Sequence, residues 1–296
     1  MVWLFLSLFS ALFLGIYDVL KKHALRDNAV WLVLLFSTFS SGIIFIVLLG
    51  LSMINVLEAS EIIYVPPIAL NEHLLILLKT ILVLSSWIFS YFALKYLPLT
   101  IFAPIRATSP VWTIVGALVI YQEQLSVLQW LGVSLTFIFF YLFSTTGSKE
   151  GISFKNNKWV WFAIIGTLFG AGSGLFDKFL IKEVDRMAVQ AWFSIYQVVL
   201  LSPLVFVIRR TIKNPLPLIW RWSIPLIGFF LVIADFLYFY ALDFEDSLIS
   251  VIALIRRGSV LFSFIFGALL FKEKNIKSKA VFLAGIILGI IILLLG

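Results

Sequence analysis

The stretch SLISVIALIRRGSVLFSFIFGALLF, residues 247–271, decides how the rest of the chain is read. At ~1.5 Å per residue its 25 residues make a rod of about 37 Å, longer than the ~30 Å hydrocarbon core of a bilayer. Yet Arg256 and Arg257 stand near its middle, roughly 13 Å inside the rod, too deep for an easy reach to a headgroup. A charge at the centre of a span costs at least ~2.5–3.5 kcal/mol, and adjacent helical residues point about 100° apart, so no single contact hides both. The stretch therefore predicts a helix lining a polar cavity, with its arginines turned towards water, an acidic partner or an anionic ligand.

The whole chain is built of the same material. Hydrophobic residues make up 62% and charged residues 12%, with a mean hydropathy of +1.11, more apolar surface than a soluble core of 296 residues needs. The chain reads as an all-α membrane protein with the lipid bilayer as its main environment. It has no cysteine, which excludes disulfides, thiolate catalysis and Cys metal sites. The net charge of +7 comes mostly from short loops, the signature of positive-inside topology and not of nucleic-acid binding. His23 and His73 have no metal-ligand spacing around them, and no nucleophile elbow, P-loop or dinucleotide fingerprint occurs. No catalytic residue, metal or cofactor is expected, and the reading is not an enzyme.

Working outward from 247–271, apolar spans fall at 2–20, 29–51, 74–97, 99–121 and 125–143, and again at 159–180, 188–208, 218–242 and 280–295. The first lacks a basic n-region and reads as a transmembrane helix, not a removable signal. A polar connector, SKEGISFKNNK at 148–158, divides the ten spans five and five. The halves, 1–147 and 159–296, repeat each other. Tyr17-Asp18 is echoed by Phe176-Asp177, and Trp31 by Trp192. Ile105-Arg106 and Ser109 match Ile255-Arg256 and Ser259 at an offset of 150, and Glu123 matches Glu273. Five is odd, so successive halves enter the membrane from opposite sides. The expected fold is ten transmembrane helices as two inverted five-helix repeats, with a site near the midplane between them.

Pro110, Gly116-Ala117-Leu118, Glu123 and Gln129-Trp130-Leu131-Gly132 in the first half, with Gly267-Ala268-Leu269, Phe271-Lys272-Glu273 and Gly285 in the second, carry a resemblance. The chain resembles the drug/metabolite transporter superfamily, EamA-type ten-helix group, along its whole length. Val260 departs from the pattern where a second-half counterpart of Pro110 would stand. The resemblance implies a secondary transporter working by alternating access, with a small-molecule substrate and a place in a bacterial inner membrane. Its basic centre points to an anionic metabolite bearing a carboxylate or phosphate, moved by exchange or by proton symport. Export of amphipathic or aromatic compounds, and flipping of a lipid phosphate, are the alternative readings.

The candidate substrate-binding residues are Arg256, Arg257, the repeat-related Arg106, and the aromatics Tyr238, Trp112 and Tyr91, with Trp87 and Tyr240 sharing segments with polar groups. The opposing reading pairs each arginine permanently with Asp18, Asp177 or Asp235. Asp235 is expected as a counter-ion to Arg256 or Arg257, with a proton-carrying role as the alternative. Asp18 and Asp177 read as solvated pairs at helix ends, Lys79 as a residue that snorkels to the interface, and Glu123 and Glu273 as caps of turns. Trp3, Trp159, Trp161 and Trp220 read as an aromatic belt. The glycines of GTLFGAGSG, 166–174, read as a close-packing surface or, alternatively, a gating bend.

Orientation sets the charge count against the resemblance, which implies cytoplasmic termini. Of 22 Lys and Arg, fifteen flank helix ends on the side away from the termini, three lie on the termini's side, and four are inside spans. The positive-inside rule therefore puts Lys21, Lys149, Arg209 and Lys272 in the cytoplasm and the termini outside.

Overall fold

The computed structural model describes residues 2–25, 28–96, 105–106, 108–145, 157–211, 218–259, 262 and 276–295. Among them no strand occurs and ten helices do: α1 Val2–Leu25, α2 Val30–Met53, α3 Leu70–Tyr96, α4 Ser109–Ile120, α5 Val127–Thr145, α6 Lys158–Glu183, α7 Arg186–Thr211, α8 Ser223–Leu242, α9 Ile249–Arg257 and α10 Ile276–Leu295. Six of these, α1, α2, α3, α6, α7 and α8, have the length and apolarity to cross a bilayer.

Several helices start where a polar group takes up their free amides. Asn157 accepts from Trp159 N at the head of α6, and Asp185 accepts from Met187 N and Ala188 N at the head of α7. Ser126 and Gln129 form a reciprocal capping box before α5. Helix α9 has no side-chain cap of its own at Leu248. Glu123, at the end of α4, supplies it from another part of the chain, accepting from Ile249 N at 2.7 Å and from Ser250 N and Oγ. Its carboxylate also answers the positive end of the α9 dipole. Glu273 and Lys272 lie outside the described residues.

The 247–271 stretch is not one unbroken α-helix in its described part. Helix α9 ends at Arg257, and Gly258 N closes a tight turn onto Ile255 O at 2.8 Å. The arginines therefore occupy the last turn of a short helix, where its partial negative charge favours cations. The rest of the stretch, apart from Ser259 and Phe262, lies outside the described residues.

Helix α1 packs on α8 and α9, α3 on α6 and α7, α2 on α7 and α8, α4 on α6 and α9, and α5 on α10. Exchanging every helix for the one five places later returns the same set of pairs. Lipid offers apolar helices no gain from burial against each other, so small residues at these seams let backbones approach. An added Cβ on Gly228 of α8 would run into Ser40 Oγ and Ser37 O of α2, and one on Gly166 of α6 would meet Ser90 Oγ of α3 at 2.7 Å. Close packing, not a bend, is what Gly166 provides.

Hydrogen bonds define the two ends of the bundle. At one, Trp3 Nε1 donates to Asp246, Glu123 caps α9, Arg186 pairs with Asp243, and Lys178 donates to Ser247 O. At the other, Asn28 bonds the backbone of Ile219, Arg221 donates to His23 O, and the His23 ring meets Ser223 Oγ. The main apolar core, including Leu180, Phe239, Leu242, Ile249 and Ile252, fills the first end. Trp3 belongs to that core at 6% exposure and is not a belt residue, whereas Trp161 and Trp220 are exposed.

Candidate functional site

A cavity of about 350 Å³ occupies the middle of the bundle. Its walls are single faces of helices, each recognisable by spacing. Helix α1 gives Leu14, Tyr17, Asp18 and Lys21; α3 gives Lys79, Val83, Ser86 and Trp87; α9 gives Ile249, Ala253, Arg256 and Arg257. Gly170, Ser173, Gly174 and Asp177 do the same on α6. The floor is closed off by protein: Lys79, Asp177, Tyr238, Phe239 and Ile249 are all buried. At the opposite limit the Lys21 and Asp18 side chains are 33% and 42% exposed and lie 3.7 Å apart. The cavity thus deepens from the Lys21 end towards the end sealed by Trp3, Glu123 and the apolar core.

Five side chains form one connected polar chain from the floor upward. Lys79 Nζ of α3 is ion-paired with Asp177 of α6. The ammonium also sits 4.5 Å from the Phe193 ring centre and 4.7 Å from that of Phe239, so aromatic faces cover what the carboxylate does not. The Tyr238 hydroxyl donates to the other Asp177 oxygen at 3.1 Å. Above the same tyrosine ring, 3.8 Å from its centre, lies the Arg256 guanidinium, whose Nη2 donates to Asp235 at 2.7 Å. Asp235 and Tyr238 are three residues apart on α8 and so share a face, which lets one arginine use both.

Arg256 keeps its Nε buried without a hydrogen-bond partner among the described residues, and so does Nε2 of Gln197 on α7. Both atoms are donors belonging to residues that border the cavity. Each invites an acceptor, since a buried polar group left unmade costs about 1–3 kcal/mol. Arg257 borders the same space. Arg106 Nη1 approaches Ser90 Oγ at 3.3 Å and Gly166 O at 3.5 Å.

Placement differs from expectation at four residues. Lys79 does not snorkel. Apolarity alone starts the helix at 74, whereas α3 begins at Leu70, which sets Lys79 about 14 Å along the helix from its first residue. Asp177 is not solvated: α6 runs on to Glu183, so six further residues carry it inside, and it is 5% exposed. Trp112 is 44% exposed, bonds Thr108 Oγ1 through its indole N–H, and does not border the cavity. Tyr240 stacks against Arg186 at the sealed end, with 4.0 Å from ring centre to guanidinium carbon. The Tyr91 side chain lies outside the described residues. Gln197 went unread in the sequence, although a glutamine twelve residues into the apolar α7 was a visible signal.

The fold and cavity define a polytopic helical membrane protein with a charged internal site. The model of the EamA-like transporter family matches residues 1–145 and again 157–295, and the chain belongs to that family. It is thus a membrane transporter of small compounds in the drug/metabolite transporter group, and that is a transport family, not an enzyme family. No curated protein matches the chain. A solved structure described as "Crystal structure of protein" is similar in fold, with a TM-score of 0.73 at 11% identity, covering 99% of this chain and 98% of the other.

Proposed function

We propose that the chain carries a small organic anion, bearing a carboxylate or phosphate, across the membrane by alternating access. In this reading the ten apolar stretches of the sequence span the bilayer as two inverted repeats of five. The exchange symmetry of the helix contacts and the double match of the family model support it. The observation that carries the anion is the arrangement around Arg256. One face of its guanidinium is taken by Tyr238 and one nitrogen by Asp235, while Nε, and Nε2 of Gln197 on the same cavity, are buried donors without a partner among the described residues. A carboxylate or phosphate supplies the acceptors both need, and guanidinium groups take such oxygens in a bidentate fork. A cavity of this size suits a small metabolite.

Alternating access then asks for two ends that open in turn. The sealed end is held by Glu123 across to α9 and by Lys178 to Ser247, contacts between helices that would separate on opening. A second reading, export of aromatic compounds, draws on Tyr17, Trp87, Phe193 and Tyr238 around the same space.

Vesicles reconstituted with the protein separate the two. Uptake of labelled succinate and glycerol phosphate should be seen with the wild type and be lost in Arg256→Gln and Arg257→Gln, with both variants still folded by size-exclusion profile. Uptake of a neutral aromatic probe that is indifferent to both substitutions favours the second reading instead.

A further inference from the structure

We infer that Gln197 of α7 sets the carrier's choice of solute, by donating a hydrogen bond to an uncharged oxygen, a hydroxyl or carbonyl, on the anion's carbon chain. This rests on the anion reading of the cavity and narrows the solute to an oxygenated anion. Four buried polar side-chain atoms lack a hydrogen-bond partner among the described residues: Arg186 Nε, Gln190 Oε1, Gln197 Nε2 and Arg256 Nε. Arg186 and Gln190 do not border the cavity, whereas Gln197 and Arg256 do. Gln197 is 1% exposed, so bulk water does not serve its amide, and a buried donor left unmade destabilises a fold. Gln190 shows where an amide N–H of this helix goes when protein is at hand. It lies seven residues earlier, two turns along the same face, and its Nε2 donates to Val232 O of α8 at 2.7 Å. Where Gln190 meets α8, Gln197 meets the cavity.

Helices α7 and α9 each pack on α6 and α8 but not closely on one another. Gln197 and Arg256 therefore stand on different walls, with the cavity between them. A solute whose anionic group is drawn to Arg256 and Arg257 turns the rest of its chain towards α7. That wall is neutral. One turn before Gln197 on the same face is Phe193, whose ring centre lies 4.5 Å from Lys79 Nζ, and that ammonium is already ion-paired with Asp177. A second charge facing this wall would be buried without a counter-ion, whereas a hydroxyl or carbonyl oxygen needs only the donor that Gln197 offers. A solute lacking such an oxygen leaves the donor unmade, and a site built to hydrogen-bond an oxygen on its solute rejects the analogue without it for that reason. Because the amide is neutral, it tells apart two anions of equal charge that differ only in their hydroxyls.

The test uses the full-length protein in vesicles with two pairs of labelled solutes, each pair matched in charge: malate against succinate, and glycerol phosphate against propyl phosphate. At limiting concentration the wild type should take up malate and glycerol phosphate about tenfold or more faster than their partners without hydroxyls, within the range that an unmade buried donor accounts for. Gln197→Met puts an apolar side chain of similar length in place of the amide and leaves no donor unmade, so both ratios should fall to within about twofold of unity. A role in folding alone would slow all four solutes alike and leave the ratios at their wild-type values. Should Gln197→Met not fold, Gln197→Asn, which withdraws the amide by one methylene, is measured in the same way, and the wild-type ratios are read without any variant. Wild-type ratios near unity, or ratios unchanged in a folded Gln197 variant, overturn the inference while anion transport itself stands. A folded wild-type protein that moves none of the four anions overturns both it and the anion reading beneath it.

Discussion

Replacing Lys79 by Met should unfold this protein more readily than any single apolar truncation in its lipid-facing surface. The Lys79 and Asp177 side chains are 3% and 7% exposed and face each other at the cavity floor. With Lys79 gone, Asp177 retains one hydrogen bond, from the Tyr238 hydroxyl, and no counter-ion among the described residues. Breaking a buried pair by removing one member costs about 3–5 kcal/mol, which is roughly 10²–10⁴ in the folding equilibrium. Asp177→Asn keeps a partner for Tyr238 but strands the ammonium between the Phe193 and Phe239 rings, whose cation–π attraction returns about 2 kcal/mol at most. It should therefore cost somewhat less, about 2–3 kcal/mol. The double variant Lys79→Met/Asp177→Leu removes both charges together and should lie within about 1 kcal/mol of wild type, because a well-packed apolar pair avoids the desolvation penalty altogether. Unfolding in mixed micelles with increasing fractions of denaturing detergent, followed by tryptophan fluorescence, supplies the four corners of the cycle. If the single costs simply add in the double variant, with a coupling below about 0.5 kcal/mol, the two groups do not hold each other and the reasoning fails.

The seal at the Trp3 end yields a second prediction. Glu123→Gln takes the charge from the acceptor of Ile249 N, Ser250 N and Ser250 Oγ and should cost about 1–2 kcal/mol. Because those contacts join α4 to α9, a cysteine placed at Ser250 should be modified several-fold faster by a water-soluble maleimide in the Glu123→Gln background, and an unchanged rate would show that this contact closes nothing. Gly228→Val drives a side chain into Ser37 and Ser40 and should destabilise by about 1–3 kcal/mol or more, whereas Gly172→Ala, with nothing within 4 Å of its added carbon, should be tolerated; equal melting temperatures for the two would contradict the close seam. A reporter fused after Gly296 fixes orientation: fifteen basic residues against three place it outside, so a periplasm-only phosphatase should be active there and a cytoplasm-only fluorophore dark.

The sequence made the order of the described helices legible, because the apolar runs are long and the polar connectors short. It also made Arg256 and Asp235 conspicuous, since each is an isolated charge well inside an apolar run. Lys79 and Asp177 were harder for a reason of arithmetic. Both lie in helices that extend past their apolar stretch, at Leu70 and Glu183, and polar first and last turns disguise how deep the next charge sits. Their pairing joins α3 to α6 over 98 positions, and no local pattern reveals a contact of that range. Trp112 failed as a cavity residue because an aromatic four residues after Thr108 has equal warrant to face lipid or solute. Only the rotation of α4, set by its packing on α6 and α9, decides between them.

The anion site is tested most directly by thermal unfolding of the purified protein against four classes of metabolite: phosphorylated, carboxylated, cationic and neutral aromatic. A ligand at about a hundred times its dissociation constant stabilises the state it binds by roughly 2.7 kcal/mol, enough to raise the melting temperature by a few degrees. The account predicts that phosphorylated and carboxylated compounds raise it, and that the rise disappears in both Arg256→Gln and Arg257→Gln. Stabilisation by cationic or neutral aromatic compounds alone, or by anions equally in wild type and both variants, would contradict it.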